Sequence, residues 1–540
     1  VTSVAPQGLP AVFQQSTIDY LAILPLLIVF GVAIVGVLVE AFVPRDRRHM
    51  VQAGLAVVGL LAAFVAVIVA AKHQGLTMGI TDGASDRRLF ALAIDGPALF
   101  MQGTILLLGV LGVLTMAERL GGVGPDAFTP SGASTPGSPF ETNASRAGAL
   151  TSEVFPLTMF AIFGMILFPT TNDLIGMFVA LEVLSLPLYI LSGLARRRRL
   201  LSQEASLKYF LLGAFSSAFF LFGSALLYGY SGSFVLGDIS KAISTGPIEM
   251  NGLLVPGAFL VFVGLLFKVA AVPFHAWTPD VYQGAPTPVT GFMAACTKAA
   301  AFGAILRLAY VGLDTGRWEW TNALVVIALL TMVVGSVLSV TQTDMKRLLA
   351  YSSIAHAGFV LVGVLAFDSK GVGAVLFYVA TYGFAIIAAF AIISLVRQNG
   401  GEATHLSQWA GLGKRYPLVA GAFAFLMLAF AGIPATSGFM AKFAVFSAAV
   451  GTGGATGTVL VVVGVLCSAI TVFVYARVIV LMYFGDPPGD TGDAANAVEV
   501  VVPSVTTTFS IAIGTVITLA LGVVPSALLD LADRASQFVR

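Results

Sequence analysis

Four ionisable residues stand inside hydrophobic runs where an apolar chain ordinarily carries none. Glu182 in FVALEVLSLPLYIL, Lys268 in LLFKVAAVPFHAW, Lys298 in MAACTKAAAFG and Lys442 in SGFMAKF are each well inside such a run. An ionisable group near a bilayer centre costs at least ~2.5 kcal/mol on insertion scales, so its presence marks an ion path, a proton path or a counter-ion pair. Lysine suits proton transfer because a desolvated ammonium gives up its proton, whereas Arg stays charged. Lysines without arginines at the run centres therefore point to protons, not to anion binding. Glu182 needs a cation nearby to remain ionised, and Lys208 or Lys268 is the expected partner. Lys208 in EASLKYFLLG, Arg307 and Arg477 lie near run ends, where a long side chain reaches the interface. Lys208 also joins the candidate path. His356 in AYSSIAHAGFVLV exchanges protons near neutral pH, with a structural, hydrogen-bonded histidine as the competing reading. Thr297, Tyr351, Ser352 and Ser353 are the polar residues expected to hold water between these groups.

The backbone around the lysines carries a second signal. Pro273 follows Lys268 and Pro434 precedes Lys442, so two apolar runs are interrupted beside a lysine. Each proline removes one helical hydrogen bond and frees the carbonyl four residues before it, Val269 and Phe430 respectively. Irregular backbone at membrane depth is tolerated only where it is enclosed or lines a watery cavity. Paired interruptions in two halves of a chain point to a transport site. Pro187 adds a third expected kink, five residues after Glu182. A faint duplication agrees with this: TNDLIGMFVALEVLSLPLYIL and TQTDMKRLLAYSSIAHAGFVL both place an Asp (Asp173, Asp344) before a long run. Aligned on these, Glu182 falls opposite Ser353, so the second copy lacks the acid.

The elements that must position these residues follow from composition. Of 540 residues 58% are hydrophobic and only 10% charged, which excludes a water-soluble enzyme. The fold class is all-α polytopic membrane protein, with fourteen spans expected at about 20–40, 51–71, 97–117, 154–171, 173–194, 205–230, 252–274, 288–311, 322–341, 348–367, 371–396, 416–448, 456–484 and 504–530. The expected organisation is an N-terminal three-helix segment (1–117), a flexible polar insertion (118–153) rich in Gly, Pro, Ser and Thr, a first repeat (154–312), a second repeat (322–485), and a C-terminal helix with its tail (504–540). The four-Arg run at 196–199 marks a cytoplasmic edge by the positive-inside rule and places both termini outside. Lys346 and Arg347 count among the interfacial basic residues of that same side. The net charge of +1 gives no pull toward nucleic acid, and the two cysteines, Cys296 and Cys467, cannot form a metal site between them. No phosphate-binding loop is present, so no cofactor or metal is expected in this chain. The expected partners are protons, internal water and membrane lipid.

These motifs resemble a family. NDLIGMFVALEVLSLPLYIL, EASLKYFLLGAFSSAFFLFG, FKVAAVPFHAWTPDVYQGAPTPVTGFMAACTKAA, TDMKRLLAYSSIAHAGF and GIPATSGFMAKF look like the antiporter-like subunits of respiratory complex I, over roughly residues 20–530. The resemblance implies fourteen helices with an inverted repeat of the fourth to eighth and ninth to thirteenth, the seventh and twelfth being broken. It implies that Glu182, Lys268, Lys298 and Lys442 match the fifth-helix acid, the seventh- and eighth-helix lysines and the twelfth-helix lysine of a proton path, with Lys208 as the sixth-helix lysine. It implies sibling antiporter-like and small helical subunits as partners. FMN, iron–sulfur clusters, NADH and quinone would be bound elsewhere in a complex that couples NADH oxidation to proton transport across a bacterial plasma membrane. Lysine at 442, where one sibling branch carries Glu, and a chain that stops soon after its last span, where another adds a lateral helix, narrow the branch. The rival reading is a subunit of a Mrp-type cation/proton antiporter, which is expected to offer more acids along its path than Glu182 alone.

Overall fold

Inside a bilayer every backbone N–H and C=O must find its partner within the chain, which leaves helices as the structure open to long apolar runs. The computed structural model describes residues 19–72, 77–81, 88–119, 126–130, 135, 138–146, 151–245, 251–398, 401–486 and 498–539. Twelve helices among the described residues are long and apolar enough to cross a membrane. They are α1 (Leu24–Phe42), α2 (Arg45–Lys72), α3 (Gly96–Met116), α5 (Leu174–Ser192), α6 (Arg199–Ser231), α7a (Asn251–Val269), α8 (Thr287–Gly312), α9 (Arg317–Val340), α10 (Met345–Val364), α11 (Ser369–Leu395), α13 (Ala455–Phe484) and α14 (Val505–Val523). The shorter α4 (Val154–Thr170) is a thirteenth crossing. Two half-length helices, α12a (Pro417–Ala431) and α12b (Ser437–Gly451), together make the fourteenth. Each of the fourteen expected runs thus corresponds to one crossing. The seventh extends further than its apolar run, because the short polar helix α7b (Trp277–Gly284) continues α7a beyond the break.

The duplication is written in the backbone. Asp173 caps α5 by accepting from the Gly176 N–H at 2.7 Å, and Asp344 caps α10 by accepting from Lys346 and Arg347 N–H at 3.0 and 3.1 Å. At the first site Leu174 N–H donates to Phe234 O and Leu236 N–H to Asn172 O, both at 3.0 Å. At the second, Met345 N–H donates to Thr404 O (2.6 Å) and Leu406 N–H to Thr343 O (2.8 Å). The same two-residue bridge therefore ties the start of α5 to the connection after α6, and the start of α10 to the connection after α11. Five crossings, α5 to α9, separate these equivalent points, so they lie on opposite faces and the repeat is inverted. At its centre α8 and α11 are wholly enclosed by protein, while α1 and α14 are the least buried of the spans.

Glycines let backbones meet where the repeat is tightest. A Cβ on Gly164 of α4 would come within 2.3 Å of Leu184 N of α5, and one on Gly335 of α9 within 2.4 Å of Ala355 N of α10. Helices in lipid associate through such close contacts because water supplies no hydrophobic drive between them.

Within the segment expected to be a flexible insertion, one stretch is anchored. Arg196 N–H donates to Ala127 O and Thr129 N–H to Leu194 O, and the Asp126 carboxylate accepts from Phe128 and Thr151 N–H and pairs with Arg196 at 3.2 Å. Gly and Pro composition gave no sign of this, because the anchoring comes from backbone pairing with the arginine run and from a single buried Asp.

Arg307 corrects a second expectation. It is not open to solvent: its side chain is fully buried on α8, its Nη2 lies 2.6 Å from Asp95 Oδ1, and its Nε donates to Pro169 O at 2.7 Å. Asp95 also caps α3 through Ala98 N–H and accepts from Val539 N–H, so one carboxylate joins α3, α8 and the C-terminal segment. A buried pair need not be stabilising on balance, but removing one member leaves an uncompensated charge, at about 3–5 kcal/mol. Asp95→Ala is therefore expected to lower the melting temperature of the detergent-solubilised protein sharply, while Asp95→Ala combined with Arg307→Met recovers most of the loss. A single variant that melts with the parent would disprove the pairing as a structural requirement.

Candidate proton-transfer site

The two broken helices end in the same way. In α7a, Ala271 N–H donates to Leu266 O at 2.9 Å and Ala270 N–H to Phe267 O at 3.1 Å. In α12a, Ile433 N–H donates to Leu428 O at 3.1 Å and Gly432 N–H to Ala429 O at 3.0 Å. Both are Schellman caps, which require a left-handed residue just past the helix. Gly432 takes that position at φ 82° and Ala270 at φ 64°; for Ala this conformation costs roughly 1–2 kcal/mol. The cap still leaves carbonyls at the helix end without partners, and these build the site.

At α7a the indole N–H of Trp277, the first residue of α7b, donates to Phe267 O at 3.0 Å. Trp277 in turn stacks on Tyr209 of α6, with centroids 4.5 Å apart and planes 8° apart. Lys268 is buried in the last turn of α7a, where the helix dipole favours a cation. Its ammonium sits 5.1 Å from the Tyr209 ring centroid and 5.3 Å from that of Tyr189, a cation–π cage worth about 0.5–2 kcal/mol per contact. Gly213 makes room for the cage: a Cβ there would meet the Tyr189 hydroxyl at 2.1 Å. The Glu182 carboxylate on α5 is within electrostatic reach of Lys268, as the sequence suggests. Among the described residues neither Glu182 Oε1 nor Lys268 Nζ has a hydrogen-bond partner. Buried groups of this kind cost about 1–3 kcal/mol each unless water joins them.

Lys208 is elsewhere. Its ammonium lies 2.7 Å from Glu204 and 2.8 Å from Asp280 of α7b, and the side chain is partly exposed. Asp280 is bound from the other side by Arg347 of α10 at 2.6 Å. Of the two expected partners of Glu182, Lys208 is instead part of a surface-edge network that pins α7b between α6 and α10. Lys208 is four positions after Glu204, a spacing at which a helix brings them together without help from Glu182.

Lys298 is buried on α8 immediately after a π-helical turn, Met293–Thr297; such turns recur at functional sites. Its ammonium donates to the backbone carbonyl of Ser353 on α10. Ser353 is the residue that stands opposite Glu182 in the duplication, so Lys298 of the first repeat meets the second repeat where its acid is missing. One turn along α10, His356 shares a 2.8 Å hydrogen bond between Nδ1 and the Tyr378 hydroxyl. Its Nε2 has no hydrogen-bond partner among the described residues, and the same holds for Ser353 Oγ and the Tyr382 hydroxyl. A cavity lined by His356, Tyr378, Thr381, Tyr382, Phe430 and Ser437 adjoins the α12 break.

Lys442 completes the row. From α12b it reaches back across the break and donates to Phe430 O (3.0 Å), Ala431 O (2.9 Å) and Ser468 Oγ (2.8 Å). Phe430 is the carbonyl that Pro434 was expected to free; Val269 has no such partner among the described residues, and Trp277 serves the neighbouring Phe267 carbonyl instead. Lys442 also stands 4.9 Å from the Phe359 ring centroid. The structure thus brings Lys298, His356 and Lys442 together along α10 and sets Glu182 beside Lys268. Sequence reading missed that Lys346, at the start of α10, is buried: its ammonium donates to Ala285 O at 2.7 Å and lies 3.9 Å from Glu402. Its place two residues after the Asp344 cap gave it the look of a helix-end residue. Among the described residues no group of three or more metal-ligating side chains occurs.

Comparison with known proteins accords with this geometry. Residues 171–471 match the family described as NADH:quinone oxidoreductase/Mrp antiporter, TM. The chain is 55% identical to "NADH-quinone oxidoreductase subunit N" of Rhodococcus opacus over 97% of both chains. It is 52% identical to "NADH-quinone oxidoreductase subunit N 3" of Streptomyces griseus over 100% of this chain and 97% of that one. Among solved structures it is similar to a chain of respiratory complex I from Thermus thermophilus with bound aureothin, with TM-score 0.72 and 31% identity over 94% of this chain and 99% of that one. A chain of the Mrp complex from Dietzia shares the fold, at TM-score 0.74 and 23% identity over 95% and 97%. The chain belongs to the antiporter-like membrane-subunit family of NADH:quinone oxidoreductases and Mrp antiporters and, within it, to the NADH-quinone oxidoreductase subunit N group.

Proposed function

We propose that this chain is a proton-translocating membrane subunit of an NADH:quinone oxidoreductase, which moves protons while other subunits carry the redox reaction. The observation that carries this reading is the row of three buried lysines, two of them at matched helix breaks and Lys298 after the π-turn of α8, with one acid beside the first. Glu182 and Lys268 act as a pair: neutralising the carboxylate withdraws the attraction that holds a charge on the ammonium, and Lys268 then releases its proton. Internal water, joined to the unpartnered polar atoms around the cage, takes that proton toward Lys298. Lys298 passes it along α10 to His356 and Lys442, and Lys442 releases it on the far side. Lys208 serves by holding α7b in register. No metal, flavin, cluster or nucleotide is assigned to this chain. The arginine-rich face, with Arg196–Arg199 at its edge, is the cytoplasmic one; the protein is in the plasma membrane of a bacterium with both termini outside. Its partners are the sibling antiporter-like and small helical membrane subunits.

The reading is tested first by tagging the chain, solubilising membranes in mild detergent, and assaying the purified material for inhibitor-sensitive NADH:quinone oxidoreductase activity. Co-purification supports it; a small particle without that activity that exchanges cations for protons in vesicles overturns it in favour of the Mrp-type antiporter.

Two substitutions test the path in assembled complex reconstituted into vesicles. Lys268→Ala is expected to lower NADH-driven proton pumping and the coupled NADH oxidation at least tenfold with subunit content unchanged. Parental pumping in an assembled Lys268→Ala complex would remove this residue from the path. Gly432→Ala forces a side chain onto a φ of 82° and sets its Cβ 3.0 Å from Lys442 Cδ. Pumping should fall with it, and to a similar extent as in Lys442→Ala, because both take the ammonium off the α12a carbonyls. If Lys442→Ala abolished pumping while Gly432→Ala pumped normally, the capped position of Lys442 would not be the working one.

A further inference from the structure

Lys346 has no part in the row described above, yet it is a buried cation in a membrane helix and calls for a reason. Its surroundings lie where the two repeats meet on the arginine-rich face. Glu402, on the short hairpin that follows α11, accepts from the Thr287 hydroxyl at 2.6 Å with the same Oε2 that stands 3.9 Å from Lys346 Nζ. Lys346 also donates to Ala285 O, at the end of α7b. Thr287 is fully buried, whereas the Glu402 side chain is 22% exposed. A carboxylate open to the aqueous side thus touches a hydroxyl and lies beside an ammonium that are both closed to it.

The two helices that leave this cluster converge on Lys298. Thr287 opens α8, and Lys298 lies eleven residues further, about 16 Å into the membrane. Lys346 is near the start of α10, and Ser353, whose carbonyl holds Lys298, is seven residues further, about 10 Å. Between the two levels the Tyr282 phenol of α7b and that of Tyr382 both approach the Ser353 hydroxyl. Thr290 on α8 adds a buried hydroxyl bonded to Tyr282 O at 3.2 Å. The other charged groups facing the cluster are Asp344, Arg198 and Arg397. Asp344 is engaged by its helix cap and by Gln283, Arg198 by Thr404, and Arg397 is the cross-strand neighbour of Glu402.

We infer that Glu402, Thr287 and Lys346 form a proton inlet at the seam between the repeats, feeding Lys298 directly and separate from the Glu182–Lys268 pair. Glu402 takes one proton from the aqueous side and gives it to the neutral amine of Lys346. Lys346 gives it through water to Lys298, and each donor returns to its starting form. The inference rests on the proton-pumping reading, and deepens it by assigning the second repeat its own supply.

The test uses the assembled complex in vesicles, with NADH-driven proton uptake and NADH oxidation measured together. Glu402→Gln keeps the size of the side chain and an acceptor for Thr287, and is expected to slow coupled turnover and uptake roughly tenfold with subunit content unchanged. Glu402→Ala should be slow as well, and several-fold restored by formate, a small carboxylic acid that fits the space left, but not by chloride. Thr287→Val removes the hydrogen bond and leaves the ionisable groups, so it should slow turnover less than Glu402→Gln. The inlet is overturned by parental turnover in assembled Glu402→Gln, by failure of formate to act beyond chloride, or by loss of assembly in the isosteric Glu402→Gln, which would make the carboxylate structural. Co-purification with NADH:quinone oxidoreductase activity separates the two ideas: without it the pumping reading itself fails, and if it holds while Glu402→Gln takes up protons as the parent does, only the inlet fails.

Discussion

The ends of two interrupted helices dominate this structure. A helix that stops inside a bilayer exposes carbonyls that no water can satisfy for free, and each such group costs several kcal/mol if left alone. The chain meets this in two ways. α7a uses the Trp277 indole on Phe267 O and keeps Lys268 within its own last turn. α12a is closed from across the break by the Lys442 ammonium on Phe430 O and Ala431 O. A cation at a helix C-terminus is favoured by the dipole as well as by the free acceptors. The same requirement that makes the breaks possible therefore also holds positive charge at mid-membrane, and the surrounding helices are arranged to enclose it.

Inversion then decides what lies beside each break. Because α5 and α10 start from opposite faces through the same backbone bridge, equivalent residues occupy equivalent depths seen from opposite sides. Glu182 sits nine residues after Asp173 and meets Lys268 within its own repeat. Ser353 sits nine residues after Asp344 and meets Lys298 from the other repeat. The duplication kept the position and changed the chemistry, from a carboxylate that attracts a cation to a carbonyl that holds one without charge. Lys298 is thereby the physical joint between the halves, and the π-turn that precedes it gives α8 the extra residue of register with which to reach α10.

Much of this was legible in the chain. Fourteen crossings, the two breaks, the Asp-aligned repeat and the lysines at 268, 298 and 442 all follow from hydropathy, proline position and the cost of buried charge, and the lysine at 442 already favoured the subunit branch that the comparisons bear out. What sequence could not reveal depends on contacts distant in the chain. Arg307 looked able to reach the interface, since nothing nearby in sequence announces Asp95, more than two hundred residues away. Lys208 looked able to serve Glu182, since its actual partner Asp280 lies in a polar helix outside any apolar run. Lys346 gave no sign of being enclosed, because burial within a bundle is not a property of one helix. The anchoring of the 118–153 segment is of the same kind, resting on Asp126 and Arg196.

The two halves differ in charge balance, and this bears on how they share protons. In the first, Glu182 can offset Lys268. From the seam onward, Lys298, His356 and Lys442 are all potential cations, His356 is within electrostatic reach of both lysines, and no carboxylate among the described residues is ion-paired or hydrogen-bonded to any of them. Like charges enclosed in surroundings less polarisable than water repel, which biases the row against charging two members at once. The backbone carbonyls and aromatic faces that receive Lys298 and Lys442 stabilise either ammonium without cancelling its charge. A proton arriving on one member thus weakens the hold of the next, and the row favours a single moving charge over a standing set of three. The acid in the first half offsets the charge of Lys268 there, so that the point at which charge enters the row is the seam where Lys298 leaves one repeat and meets the other.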